Sequence, residues 1–204
     1  MNRVLSAETE TGRNGLIYRK IFHLIAAPII PVAYYFEFLP RETVFGLAGM
    51  TLLVWLPIDL IRIYHKGSNS WVKRHFWRFF KDTESRSICG ATFMLIGILF
   101  SLALFEPVLA CAAILFNAIG DPLAAIVGTR FGKLKFSNGK SFEGFAAMLV
   151  VCFAISVQII GFGAVAIVGA FSASTIEFFT GRVDDNLSIP VVSGTAMTIA
   201  EYVL

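Results

Sequence analysis

The chain has 204 residues, 56% of them hydrophobic and only 15% charged, with a mean hydropathy of +0.73. Soluble domains carry about a quarter charged residues, so this composition excludes an ordinary water-soluble globule and points to lipid as the partner of the apolar excess. A net charge of +3 gives no reason to expect a nucleic-acid partner. The three cysteines, Cys89, Cys111 and Cys152, stand in apolar runs at no metal-like spacing. Their odd number and placement argue against disulfides and zinc, and they read as small packing residues.

A span needs about 20 helical residues to cross the hydrocarbon core. In chain order, a polar N-terminal stretch, residues 1–15, leads into Leu16–Phe38, which opens with Arg19, Lys20 and His23 and is unlike a secretory signal. Thr43–Ile61, Ile88–Phe105, Pro107–Gly128, Glu143–Ile160, Gly163–Phe179 and Ile189–Leu204 follow. The expectation is a single domain over residues 1–204: an all-α, polytopic transmembrane bundle of about seven spans. Only Gly161-Phe162-Gly163 separates the fifth from the sixth, and the last span is short. The loop His65–Ser87 holds a further helix. Val72, Phe76, Phe79 and Phe80 share one face of it and Lys73, Arg74, Arg78 and Lys81 another, as in a helix lying in the headgroup layer.

Alternating spans place nearly every Lys and Arg on one side, from Arg3, Arg13, Arg19 and Lys20 to the loops after spans two, four and six, and leave Arg41 on the other. The positive-inside rule makes the basic side cytoplasmic, with the N-terminus inside. The matching location is a bacterial or archaeal inner membrane, or one of endoplasmic-reticulum type.

Ionisable groups within spans are expensive and therefore functional candidates. Asn117, Asp121, Ala124 and Gly128 recur at helical spacing and run into the basic segment that holds Arg130 and Lys133. A carboxylate and an amide suit a divalent cation, and basic residues suit phosphate; close packing through small residues accounts for the glycines equally well. Lys140-Ser141-Phe142-Glu143-Gly144 opens span five, with Ser141 as N-cap and Glu143 in the first turn. A helix N-terminus beside a lysine is also a phosphate site. Glu84 and Arg86 precede span three, and Glu177, Asp184, Asp185 and Asn186 surround the link between spans six and seven. This mixture of carboxylates and basic side chains at one face is the one that metal-assisted phosphate chemistry requires.

These residues resemble the dolichol kinase, phytol kinase and CTP-dependent diacylglycerol kinase family. The likeness runs from Arg19 to Pro190 through five ordered pieces: Arg19-Lys20-x-x-His23, Glu84 with Ser87–Thr92, Gly120-Asp121-x-x-Ala-Ala-x-x-Gly128-x-x-x-Gly132-Lys133, Lys140-Ser-x-Glu143-Gly144, and Glu177 with Asp185-Asn186-x-x-Ile-Pro190. It departs at Pro122, where Thr or Ser is commoner.

The resemblance implies phosphorylation of a membrane lipid alcohol by a nucleoside triphosphate, CTP favoured over ATP, with Mg²⁺ or another divalent cation. It implies Asp121, Asp185 and Lys140 as catalytic groups. Arg19, Lys20, Gly128, Arg130, Lys133 and Gly144 would bind phosphate. Asp121, Asn117 and Glu143 would hold the metal, and His23, Glu84, Arg86, Glu177 and Asn186 are further candidates. The implied partners are the lipid alcohol, the nucleotide and the bilayer, with a homo-oligomer open. The competing readings are a phosphatidate cytidylyltransferase-like enzyme, whose long terminal signature is missing, and a lipid-binding or transport protein, whose site belongs nearer the midplane.

Overall fold

The computed structural model describes residues 18, 20, 21, 23–65, 87–179 and 183–203. The headgroup-layer helix expected within His65–Ser87, the N-terminal stretch, Arg19, Glu84 and Arg86 lie outside the described residues. Helical residues around Lys20 and His23 lead into α1 (Ile29–Tyr35). Then come α2 (Arg41–Tyr64), α3 (Gly90–Leu104), α4 (Pro107–Leu115), a π-helical turn at Phe116–Gly120, α5 (Asp121–Phe131), α6 (Phe142–Ile159), α7 (Ala164–Phe179) and α8 (Asp185–Val203). The architecture is an all-α membrane bundle. Three helical runs, Arg41–Tyr64, Pro107–Phe131 and Phe142–Ile159, are long and apolar enough to cross a bilayer, and shorter apolar helices pack beside them.

The run Pro107–Phe131 forms the centre. Ala110, Cys111, Ala112 and Ala113 are wholly buried, and Leu109, Ala113, Phe116 and Ala124 join Met148, Cys152, Ala170, Ala173, Ile189 and Met197 in the main core. Small side chains here let α6 and α8 approach closely. At the rim, α2 turns Leu47, Met50, Leu53, Val54 and Ile58 outward, which suits a lipid-facing helix. Its Val44 and Ala48 meet α3 and α4 in a second core with Tyr34, Ile98, Leu102 and Leu115.

Proline explains the π turn. Pro122 has no N–H to give the carbonyl four residues back, so regular α-helical bonding fails there. The chain widens by one residue instead, and the Asp121 N–H reaches Phe116 O. Pro122 therefore sits in the first turn of α5, where a missing donor is tolerated.

Two boundaries matter for the site. The link between the fifth and sixth spans is real: Gly161 adopts φ +104°, a left-handed conformation suited to glycine, and α6 ends just before it. The last helix starts earlier than expected, at Asp185 rather than Ile189. Its polar first turn reads as loop in the sequence, yet Asp184 Oδ1 accepts from the Asn186 N–H at 3.1 Å and caps the helix.

The entry of α3 is held to α2 by a buried polar clasp. Asp59 Oδ1 accepts from Arg62 Nε and Nη2 at 2.9 and 2.6 Å, while Oδ2 accepts from the Cys89 N–H at 2.8 Å and Thr92 Oγ1 at 2.9 Å. Arg62 Nη2 also reaches Ser87 O at 2.7 Å. α3 in turn lies against α8. A Cβ at Gly97 would stand 2.6 Å from Asn186 O and 3.1 Å from Pro190 Cγ. Gly97→Ala is therefore expected to cost about 1–3 kcal/mol of stability, seen as a lower unfolding midpoint in detergent. An unchanged midpoint would mean that α3 and α8 do not meet there.

Candidate functional site

Two ion pairs define the polar centre. Lys20 Nζ, from the helical segment before α1, donates to Asp121 Oδ2 at the start of α5, and both residues are buried. Lys140 Nζ donates to Glu177 Oε1 and to Glu177 O, the latter at 2.5 Å. The pairs belong to one electrostatic cluster, since Glu177 feels the charges of Lys140, Asp121 and Lys20. Cys152 lies within the field of Glu177 and Asp121 and packs 2.8 Å from where a Gly120 Cβ would stand. Two cations against two carboxylates leave the cluster neutral, which is the affordable way to keep charges in an apolar bundle.

Local chemistry brings Lys140 to Glu177. The segment after α5 folds back as a tight hairpin, with Phe136 N–H to Lys140 O at 2.8 Å, Phe142 N–H to Leu134 O at 3.0 Å, and Gly139 at φ +81° in the turn. Asn138 Nδ2 ties the hairpin to Phe178 O at 2.7 Å, and the Phe136 and Phe178 rings meet edge to face. Ser141 then caps α6, its Oγ accepting from the Gly144 N–H at 3.1 Å.

A second polar line runs beside the cluster. Asn117, in the π turn, donates through Nδ2 to Asn186 Oδ1 at 3.3 Å, and Asn186 Nδ2 donates to Asp184 Oδ1 at 2.7 Å. Asn117 is buried, and its Oδ1 has no hydrogen-bond partner among the described residues. An unsatisfied buried acceptor is costly and is an oxygen available to a ligand. Asp185 opens α8 next to this line and is partly exposed.

The structure thus gathers Lys20, Asp121, Lys140 and Glu177, and beside them Asn117 and Asn186; His23 lies one turn along from Lys20, half-buried. The structure places the other expected residues as follows. Glu143 is half-buried and accepts from the Lys133 and Leu134 N–H groups at 3.0 and 3.4 Å, bracing the hairpin. Lys133 is exposed, and Arg130 is exposed over the Phe131 ring. Gly128 and Gly144 form the α5–α6 contact: a Cβ at Gly128 would stand 2.9 Å from Ser141 Oγ, and one at Gly144 would stand 2.9 Å from Ala124 O. Asp59 is a further buried carboxylate, outside the residues expected from sequence. Its spacing of three from Arg62 inside a span is the signal that was there to use.

Among the described residues, no group of three or more His, Cys, Asp or Glu side chains converges into a protein-only metal cage. One carboxylate, Asp121, together with the unsatisfied Asn117 Oδ1, fits the other mode of holding Mg²⁺, in which one or two protein oxygens share the ion with substrate phosphates.

Comparison with known proteins adds the following. The chain is 32% identical over 197 residues to an uncharacterized protein of Rickettsia prowazekii, covering 91% of this chain and 95% of that protein. It is 41% identical over 107 residues to an uncharacterized protein of Methanocaldococcus jannaschii, and 33% identical over 120 residues to a phytol kinase of Synechocystis. It spans about half the length of each of these two, 54% and 51%. No family model and no solved structure matches.

Removing one member of the Lys20–Asp121 pair strands the other as a buried charge. Lys20→Met is expected to cost about 3 kcal/mol, and adding Asp121→Asn should restore much of that loss. A double-mutant cycle from denaturation in detergent measures the coupling, and purely additive losses would show that the pair does not stabilise the fold.

Proposed function

This chain belongs to the protein family of its Rickettsia prowazekii relative, and we propose that it is a membrane lipid kinase. It transfers the terminal phosphoryl group of a nucleotide, CTP in preference to ATP, to the hydroxyl of a lipid alcohol such as diacylglycerol, a polyprenol or phytol. The observation that carries this reading is the neutral cluster of Lys20, Asp121, Lys140 and Glu177 in a chain partly similar to a phytol kinase. The basic end of the bundle is then the cytoplasmic one, where the nucleotide is dissolved.

In the resting site each lysine is aimed by a carboxylate. Nucleotide phosphates compete for both ammonium groups, and Lys20 and Lys140 turn to the phosphoryl oxygens; Arg130 and Lys133 add charge around the entrance, and Arg19 is a further candidate for the phosphates. Asp121 and Asn117 Oδ1 hold a divalent cation, which when bound neutralises charge on the phosphoryl oxygens. The lipid enters sideways between helices, and its hydroxyl oxygen forms a bond to the terminal phosphorus as the bond to the leaving nucleoside diphosphate breaks. Asp185, at the exposed start of α8, takes up the hydroxyl proton. Such transfer depends mainly on positioning and on charge neutralisation, which a rigid bundle with paired ions supplies.

The test is direct. Purified protein with γ-labelled CTP or ATP, Mg²⁺ and a panel of diacylglycerol, polyprenol, phytol and farnesol should transfer label to one of the lipids. Pyrophosphate release with phosphatidate would instead identify a cytidylyltransferase. The double variant Lys20→Met/Asp121→Asn, which removes both charges together, should lose turnover by on the order of 10³-fold while staying folded. Near-normal activity in that variant would remove Asp121 from the chemistry.

A further inference from the structure

A cavity of about 470 Å³ opens at the opposite end of the bundle, between the end of α1, the start of α2 and the start of α4. Its walls include Tyr34, Tyr35, Glu37, Arg41, Pro107 and Val108. Pro107 precedes Asp121 by 14 residues in one helical run, so the cavity lies about 20 Å from the ion-pair cluster along that axis. It is separate from the proposed kinase site. Its volume is within the range of small-molecule sites, roughly 300–1,000 Å³.

Three observations show what would fill it. Tyr34 is 9% exposed, and its hydroxyl has no hydrogen-bond partner among the described residues. Such a group has a standing need for a partner. Arg41 donates through Nη2 to Leu102 O and, at 3.5 Å, to Phe105 O, its only partners among the described residues. A guanidinium has five N–H groups in a planar fork, so Nε–H and both Nη1–H groups remain for an anion. Glu37 has φ +58° and is the described non-glycine residue with a left-handed backbone. It ends α1 in the place where glycine is usual, with the Phe38 N–H returning to Ala33 O at 3.0 Å. Glycine would sit there without strain, so the carboxylate is held at the cavity against local preference.

Charge selects among lipids. Arg41 is the sole Lys or Arg of the described residues at this end, whereas Glu37, Glu42 and Glu106 are all there. A purely anionic headgroup would meet one cation among an excess of carboxylates. A headgroup carrying both a phosphodiester and an ammonium meets an opposite charge for each. We propose that this cavity binds the zwitterionic headgroup of a phospholipid, its phosphodiester received by Arg41 and Tyr34 and its ammonium by Glu37. The helix ends around the cavity lie where headgroups lie, and the apolar flank of α2 beside it receives the acyl chains.

The full chain in mild detergent is given phosphatidylethanolamine or phosphatidylglycerol of matched acyl chains, and bound lipid is counted by native mass spectrometry. Phosphatidylethanolamine should be retained about tenfold more strongly. Tyr34→Phe should weaken its retention several-fold, and Glu37→Gln should remove the preference for it. Arg41 is spared because it also caps α3. Soluble glycerophosphoethanolamine at equal concentration should leave the lipid in place, and displacement would overturn the assignment of a membrane lipid. Equal retention of the two lipids, or variants that bind as the unaltered protein does, overturns the proposal. No readout uses a nucleotide, so the result is separate from the kinase reading.

Discussion

A charge taken into hydrocarbon must meet its opposite inside the protein, and in this bundle the pairs that satisfy that demand also join the helices. Asp59 with Arg62 ties α2 to the entry of α3 through Cys89 and Thr92. Lys20 with Asp121 ties the first span to the central run, and Lys140 with Glu177 ties the hairpin after α5 to α7. Buried ion pairs give little net stability against apolar replacements, but losing one partner is severe. They act as registers more than as glue: each is satisfied only when its two elements stand at one depth. Apolar packing of small residues along Pro107–Phe131 supplies the cohesion around them.

The same pairing shapes the site's chemistry. In the proposed reading, lysines held by carboxylates stay aimed at the site until phosphates arrive. A polyanion of higher charge density can take them over, and the carboxylates are then released for other work. Asn117 adds an acceptor with no partner in a π turn, and such turns recur at functional sites. The packing glycines Gly128 and Gly144 contribute indirectly, by bringing the hairpin that bears Lys140 down onto the bundle.

Apolar runs were easy to find because lipid imposes length and composition together, and the helices from Arg41 to Phe179 follow the expected spans within a few residues. The start of α8 was missed because Asp185 and Asn186 look like loop residues unless the Asp184 cap is known. Asp121, Lys20, Lys140 and Glu177 were each visible as polar residues near span ends, but which carboxylate meets which lysine is a property of helix adjacency, not of spacing. Glu143 shows the reverse case. Its place in the first turn of α6 fits a metal ligand and a loop brace equally, and its bonds to the Lys133 and Leu134 amides depend on a hairpin geometry that spacing does not show.

The Lys20–Asp121 pair joins residues 101 positions apart, and that separation has a consequence for synthesis. At about 5–20 residues per second, Lys20 leaves the ribosome roughly 5–20 s before its counter-ion. Throughout that interval its ammonium has no carboxylate from α5 to meet, so the first span has to wait with its basic end in the headgroup layer. Only when the central run is inserted can Lys20 sink to its final depth. The contact between the first span and the central run therefore belongs to the later part of synthesis.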